Sequence, residues 1–173
     1  LGAANSGTTA LSLWLRNHPG VSFSTPKGPG YFAFDFPKYR VADSWEKYAA
    51  CFEDDDGSGN QIRGEGSTWY LNSMDAVPRI LESRPAAKFI CILRNPIDQI
   101  TSFHNTLYHQ CNESIKHFER AWNAQERRKK GIDIPSSCRE PTFLYYGDVS
   151  AFGRLIERLY TWADRDQVKV IIY

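Results

Sequence analysis

The residues that most limit what this chain can fold into stand near its beginning: Gly2-Ala-Ala-Asn-Ser-Gly7-Thr8-Thr9. Two glycines with four small or polar residues between them, followed by a helix-forming run, fit a strand that ends, a tight loop, and a helix that begins. The first backbone N–H groups of such a helix point at an anion, and the helix dipole adds partial positive charge there. The spacing is that of the phosphate loop G-x-x-x-x-G-K-[ST], except that Thr8 stands where the lysine belongs. Ser6, Thr8 and Thr9 add hydroxyl donors. Lacking the lysine, the loop suits a phosphate but not the chemistry of a nucleoside triphosphatase or kinase. No metal-holding aspartate of the Walker-B kind follows a strand either.

A strand–loop–helix start calls for alternation along the rest of the chain, and apolar periodicity supplies it. Thr8 to Asn17 reads as a helix with Leu11, Trp14, Leu15 and His18 on one face, stopped by Pro19-Gly20. Gln61 to Glu65 and Lys88 to Leu93 read as strands, with a helical stripe of Met74, Val77, Ile80 and Leu81 between them. Asn95 is a good N-cap and Pro96 a good first helical residue, which predicts a helix from there to about His109. Ile115, Phe118 and Trp122 mark another helix. Val149, Phe152, Leu155, Ile156, Leu159 and Trp162 mark the last, leading into a strand from Val168. The expected fold class is α/β, three-layer, with a mostly parallel central sheet flanked by helices and a P-loop NTPase-like topology.

The 173 residues suit one domain, 1–173. Leu1 is not an initiating residue and Tyr173 falls inside a strand-like run, so both ends read as cut. With 21 Lys+Arg against 20 Asp+Glu, the net charge of +1 argues against a nucleic-acid partner. The longest apolar run, Phe89 to Leu93, is too short for a membrane segment, and no charged-then-apolar leader opens the chain. Cys51, Cys91, Cys111 and Cys138 show no metal-type spacing, so no metal is expected. Cys91 reads as core, and Cys111 and Cys138 read as free thiols or as a disulfide around a polar insert. Glu53 to Asn60 reads as a solvated turn rather than a calcium loop. Arg127-Arg128-Lys129-Lys130 reads as a solvated helix end, with attraction of an acidic acceptor as the alternative.

A second anion site follows the second strand. Arg94 stands at the carboxyl end of a parallel strand, where α/β folds bind ligands, and Ser102 lies two turns into the next helix. Together they can clamp a phosphate. Two phosphate sites on adjacent strands imply a ligand with anionic groups at both ends of a nucleoside.

With these residues the chain resembles the sulfotransferases that use 3′-phosphoadenosine 5′-phosphosulfate (PAPS). The family's 5′-phosphosulfate loop, P-K-S-G-T-T, is matched by Ala4-Asn5-Ser6-Gly7-Thr8-Thr9, and its 3′-phosphate motif by Leu93-Arg94-Asn95-Pro96 with Ser102. Its G-E-x-[ST]-x-x-Y-L segment is matched by Gly64 to Leu71, and K-E-P-x-[YF]-F in part by Lys27 to Phe32. The motif order is more like the membrane-bound and bacterial carbohydrate-type members than the cytosolic steroid and phenol enzymes. The resemblance implies sulfuryl transfer from PAPS, with PAP as product, to a hydroxyl or amine on a small-molecule or carbohydrate acceptor. It implies the cytoplasm for a bacterial protein and the Golgi lumen for a eukaryotic one, with any anchor outside this chain. The cofactor-binding residues would be Asn5, Ser6, Gly7, Thr8, Thr9, Arg94 and Ser102.

Three positions depart from the family pattern. Asn5 replaces the lysine before S-G-T-T, Gly28 replaces the glutamate of K-E-P, and Gly66 replaces a lysine that some heparan-type members place after G-E. Lys27 could restore positive charge, and Glu65, His104 or His109 could serve as base. The alternative is a catalytically degenerate module that binds PAP or PAPS without turnover.

Overall fold

The fold is given by a computed structural model that describes residues 1–52 and 61–173; the expected turn at 53–60 lies outside the described residues. Its centre is the run Phe-Ile-Cys-Ile-Leu, whose branched and aromatic side chains favour a pleated strand and whose lack of alternation suits burial on both faces. This strand, which follows strands at Val21–Phe23 (β1) and Ile62–Gly64 (β2), is β3 (Phe89–Leu93). It pairs in parallel with β4 (Val168–Ile172), in register from Phe89↔Val168 to Leu93↔Ile172. On its other side the chain start pairs with it through a parallel bridge, Gly2↔Cys91. Ala3 N–H donates to the Ile92 carbonyl at 2.8 Å, and Ile92 N–H to the Gly2 carbonyl at 2.7 Å. β1 and β2 form a second parallel pair, Val21↔Ile62 to Phe23↔Gly64. Among the described residues every ladder is parallel, but hydrogen bonding runs in these two blocks rather than through one uninterrupted sheet.

Helices α1 (Thr8–Arg16), α2 (Trp45–Ala50), α3 (Ala76–Ser83), α4 (Pro96–His109), α5 (Phe118–Asn123), α6 (Gln125–Arg128), α7 (Tyr146–Val149) and α8 (Phe152–Trp162) surround the strands. Phe89, Cys91 and Leu93 pack with Val77 of α3 and Phe152, Leu155 and Leu159 of α8. Ile100, Phe103 and Leu107 of α4 build a second core with Phe143, Leu144 and Tyr146. Each fully buried Leu, Ile or Phe contributes about 1.5–3 kcal/mol relative to exposure, so these two clusters are what hold the helices to the strands.

Two elements differ from expectation. In α1 the buried residue is Ser12, while Trp14 is 74% exposed and His18 is exposed beyond the helix end, where its Nδ1 accepts from Gly20 N–H at 3.1 Å. The helix lies close to Gly66, where an added Cβ would stand 2.9 Å from Ser12 Oγ. Close approach requires a small side chain, and that requirement overrides the apolar stripe. The basic run is not wholly solvated either. Arg128 is fully buried and makes two hydrogen bonds to Glu113, Nη1 to Oε2 at 2.6 Å and Nη2 to Oε1 at 2.7 Å. Tyr146 donates its hydroxyl to the same carboxylate at 2.5 Å, and the Ser114 and Ile115 N–H groups each donate to it at 2.8 Å. A buried charge needs this complete a set of partners. Arg127, which pairs with Asp133, and Lys129, which pairs with Asp148, keep their heads in water. The four cysteines form no disulfide with one another.

Candidate active site

The turn from the chain start into α1 puts Asn5 at φ 59° and Gly7 at φ 83°. Left-handed residues in a short loop turn successive N–H groups to one side. The N–H groups of Ser6, Gly7, Thr8 and Thr9 donate to no acceptor within the described residues. They form a concave set of orphan donors at a helix N-terminus. The loop opens at the carboxyl ends of the strands, beside the end of β3 that carries Arg94. Tyr173 lies there too, its N–H donating to the Leu93 carbonyl at 2.7 Å.

Side chains from α4 hold the loop from one flank. Asn95 caps this helix, its Oδ1 accepting from Ile97 N–H at 2.9 Å, with Pro96 in the first turn. Gln99, fully buried, donates to the Ala4 carbonyl at 2.9 Å. The Asn5 amide donates to Ser102 Oγ at 3.0 Å and to Thr106 Oγ1 at 2.9 Å. Ser6 turns inward, fully buried. The Arg94 guanidinium, half-buried, makes no hydrogen bond or ion pair within the described residues.

Lys27 reaches the loop from the other flank. Its carbonyl is fixed by the Ser24 hydroxyl at 3.0 Å and by Gly66 N–H at 2.7 Å. Its side chain then crosses Gly66, where a Cβ would meet Lys27 Cε at 2.9 Å. The ammonium ends 3.0 Å from Thr8 Oγ1 and 3.3 Å from Thr9 Oγ1. Partial burial holds its pKa below the usual lysine value. A cation thus stands over the residue that replaces the loop lysine, delivered from a different segment of the chain.

The expected bases lie elsewhere. Glu65 accepts from Ser67 N–H at 2.9 Å through Oε2 while Oε1 is buried without a partner. Burial pushes its carboxyl pKa up. It does not line the cleft in front of the loop. His104 is 1% exposed, with Nε2 2.8 Å from the Ile115 carbonyl and its ring edge-on to Phe118 and Tyr146. Two positions beyond Ser102, it occupies the opposite side of α4. His109 is exposed at the end of α4, outside the cleft.

That cleft has a volume of about 250 Å³ and brings Asn5, Thr8, Thr9 and Lys27 together with Tyr39, Trp69 and Phe103. From the sequence, Trp69, Tyr70, Phe103 and Tyr108 are expected near the cleft; the structure brings Trp69 and Phe103 to it but not Tyr70 or Tyr108, and adds Tyr39, Thr68, Thr106 and Gln110. Thr106 was accessible to reasoning, since it lies one turn after Ser102 on the same helix face. Tyr39 was not, because it enters from a short 3₁₀ turn, Pro37–Tyr39. Among the described residues no cluster of His, Cys, Asp or Glu is arranged to hold a metal, and no helix is long and apolar enough to cross a membrane.

Parallel strands, flanking helices and a strand–loop–helix turn at the strands' carboxyl ends define a P-loop-like α/β scaffold. Comparison with known proteins narrows this class. A solved sulfotransferase from Alicyclobacillus acidocaldarius matches with a TM-score of 0.82 and 28% identity, over 99% of this chain and 70% of that one. The membrane-associated sulfotransferase kil1 of Dictyostelium discoideum is 31% identical over 106 residues, 60% of this chain and 21% of that protein. The human bifunctional heparan sulfate N-deacetylase/N-sulfotransferase 2 is 31% identical over 108 residues, 60% of this chain and 12% of that protein. The chain therefore spans under a quarter of the length of these two curated relatives. No family profile matches it. By sequence and fold together, the chain is similar to sulfotransferases.

Proposed function

We propose that the chain binds PAPS and transfers its sulfuryl group to a hydroxyl or amine acceptor. The observation that carries this reading is the Lys27 ammonium 3.0 Å from Thr8 Oγ1. It supplies a cation at the one loop position where the phosphate-binding pattern is broken. The loop N–H groups and Lys27 would take the 5′-phosphosulfate, and Arg94 with Ser102 the 3′-phosphate. The unpaired guanidinium and the orphan amides fit a ligand anionic at both ends.

In the transfer, the acceptor oxygen or nitrogen forms a bond to sulfur in line with the bond from sulfur to the bridging phosphate oxygen, which breaks. PAP departs with the negative charge developed on that oxygen, and the acceptor's proton passes to water. Charge grows on the leaving oxygen, so preorganised donors and a nearby cation lower the barrier most. Lys27 and the loop amides have that role.

A second reading, a module that binds PAP or PAPS without turnover, is favoured by one observation. Among the described residues lining the cleft there is no carboxylate or imidazole. The two readings separate in one assay. Thermal shift with PAP, using ATP as control, tests the donor site, and saturating PAP at 100 times its Kd adds about 2.7 kcal/mol of stability. Labelled sulfate transfer from PAPS to an acceptor panel then tests turnover. A PAP-selective shift with a labelled product supports the enzyme, and a shift without any product supports the module. Arg94→Ala should cost about 1.5–3 kcal/mol of PAP binding; unchanged affinity would remove the 3′-phosphate assignment.

A further inference from the structure

The cleft has two unlike ends. Thr8, Thr9 and Lys27 form one, and an aromatic wall of Tyr39 and Trp69, backed by the buried Phe103, forms the other. The wall is braced from behind. Trp69 stacks on Phe143 at 3.7 Å and 17°, with Phe103 tilted against it at 5.2 Å and Tyr39 at 5.9 Å. A ring held on several sides offers a fixed apolar surface at little entropic cost. Around it stand polar groups with no hydrogen-bond partner among the described residues: the Tyr39 and Thr68 hydroxyls, the Trp69 indole N–H and the Gln110 amide. All are uncharged. Lys27 is the only charged side chain among the described residues of the lining, and its ammonium is already bonded to the loop.

A polyanionic acceptor would need a basic wall, because desolvating its charges without partners is costly. This wall provides none. Its free capacity suits hydroxyl groups, and its flat faces suit a ring. The volume of about 250 Å³ is below the range of roughly 300–1,000 Å³ that holds drug-sized ligands, so there is room for one ring beside the sulfuryl group.

From this geometry we infer that the acceptor is an uncharged, hydroxylated single ring, which packs on the aromatic wall and turns one hydroxyl toward Thr8, Thr9 and Lys27. The inference rests on reading the loop as the sulfuryl-donor site. Transfer to it follows the same balance: an S–O bond forms at the ring hydroxyl, the S–O bond to the phosphate breaks, and the hydroxyl proton is released to water.

The test uses PAP-saturated protein and three probes: methyl β-glucopyranoside, 4-methylphenol and a non-sulfated uronic-acid-containing hexasaccharide. Binding is read by ligand-observed NMR, and transfer by labelled PAPS. A neutral ring should bind and gain sulfate while the acidic hexasaccharide does neither, and the two ring probes tell a sugar from a phenol. Tyr39→Phe should raise the KM of the preferred ring about 2- to 10-fold, the loss of one hydrogen bond, with kcat and PAP affinity unchanged. Preferential binding of the hexasaccharide, or no binding of either ring to PAP-loaded protein, overturns the inference alone. Failure of PAP itself to bind overturns the donor-site reading and this inference with it.

Discussion

Lys27 shows how a site can keep its charge while losing its motif. The sequence displays a broken loop at Thr8 and a stray lysine nineteen residues on, and nothing in the spacing joins them. The joining depends on Gly66, whose missing side chain is the space through which Lys27 passes. Lys27→Met, which keeps length and removes charge, should weaken PAP binding by about 1.5–3 kcal/mol, or roughly 10- to 150-fold, by calorimetry. Because its pKa is held below the usual lysine value, affinity should fall as pH rises through that lowered pKa, before an ordinary lysine would deprotonate. The Lys27→Met protein should lack that alkaline limb. Gly66→Ala should reproduce much of the loss without removing any charge, since its methyl displaces the lysine stem; wild-type affinity in that variant would separate Gly66 from the site. The expectation for Arg94 and Ser102 came from sequence because strand, cap and proline stand in one short segment. Tyr39 and Gln110 could not be named that way, since they meet the loop only through tertiary packing.

Among the elements, α4 was the most legible. Its Asn-Pro start and apolar rows depend on local chemistry, and the structure bounds it at Pro96–His109. α1 was legible in extent but not in orientation, because what it packs against demands a small residue at position 12. α3 begins under a cap that no single-residue pattern shows. Ser73 Oγ accepts from Ala76 N–H at 2.9 Å while donating to Asp35 at 2.6 Å. The segment from α4 to α7 depends most on a pairing that sequence hides, the buried Glu113–Arg128 pair. Glu113→Ala should destabilise the fold by about 3–5 kcal/mol in denaturant titration, since it leaves the Arg128 charge buried and unpaired. Burial alone would raise the Glu113 pKa, but the Arg128 and Tyr146 hydrogen bonds outweigh it and hold the carboxyl below the ordinary 4.5. Its stabilising contribution is therefore complete above that value and is lost as pH falls through the lowered pKa. Wild-type protein should show an acid transition on that limb, and a Glu113→Gln variant a flatter one.

Over the whole molecule, the parallel α/β class could be read from alternating patterns, whereas the pairing of distant strands could not. β3 and β4 are joined across more than seventy residues, and periodicity carries no record of which run lies beside which. Among the described residues β4 pairs on one side only, with Ile172 75% exposed. Finally, Asn5 ties the loop to α4, donating to Ser102 and Thr106 from within the loop. With a nucleotide bound as proposed, its two ends would report to this one amide, so that filling one would change the affinity of the other, and by reciprocity the reverse. Taken relative to adenosine, the contributions of the 5′-phosphosulfate and of the 3′-phosphate should not add to that of the intact donor, and Asn5→Ala should make them additive.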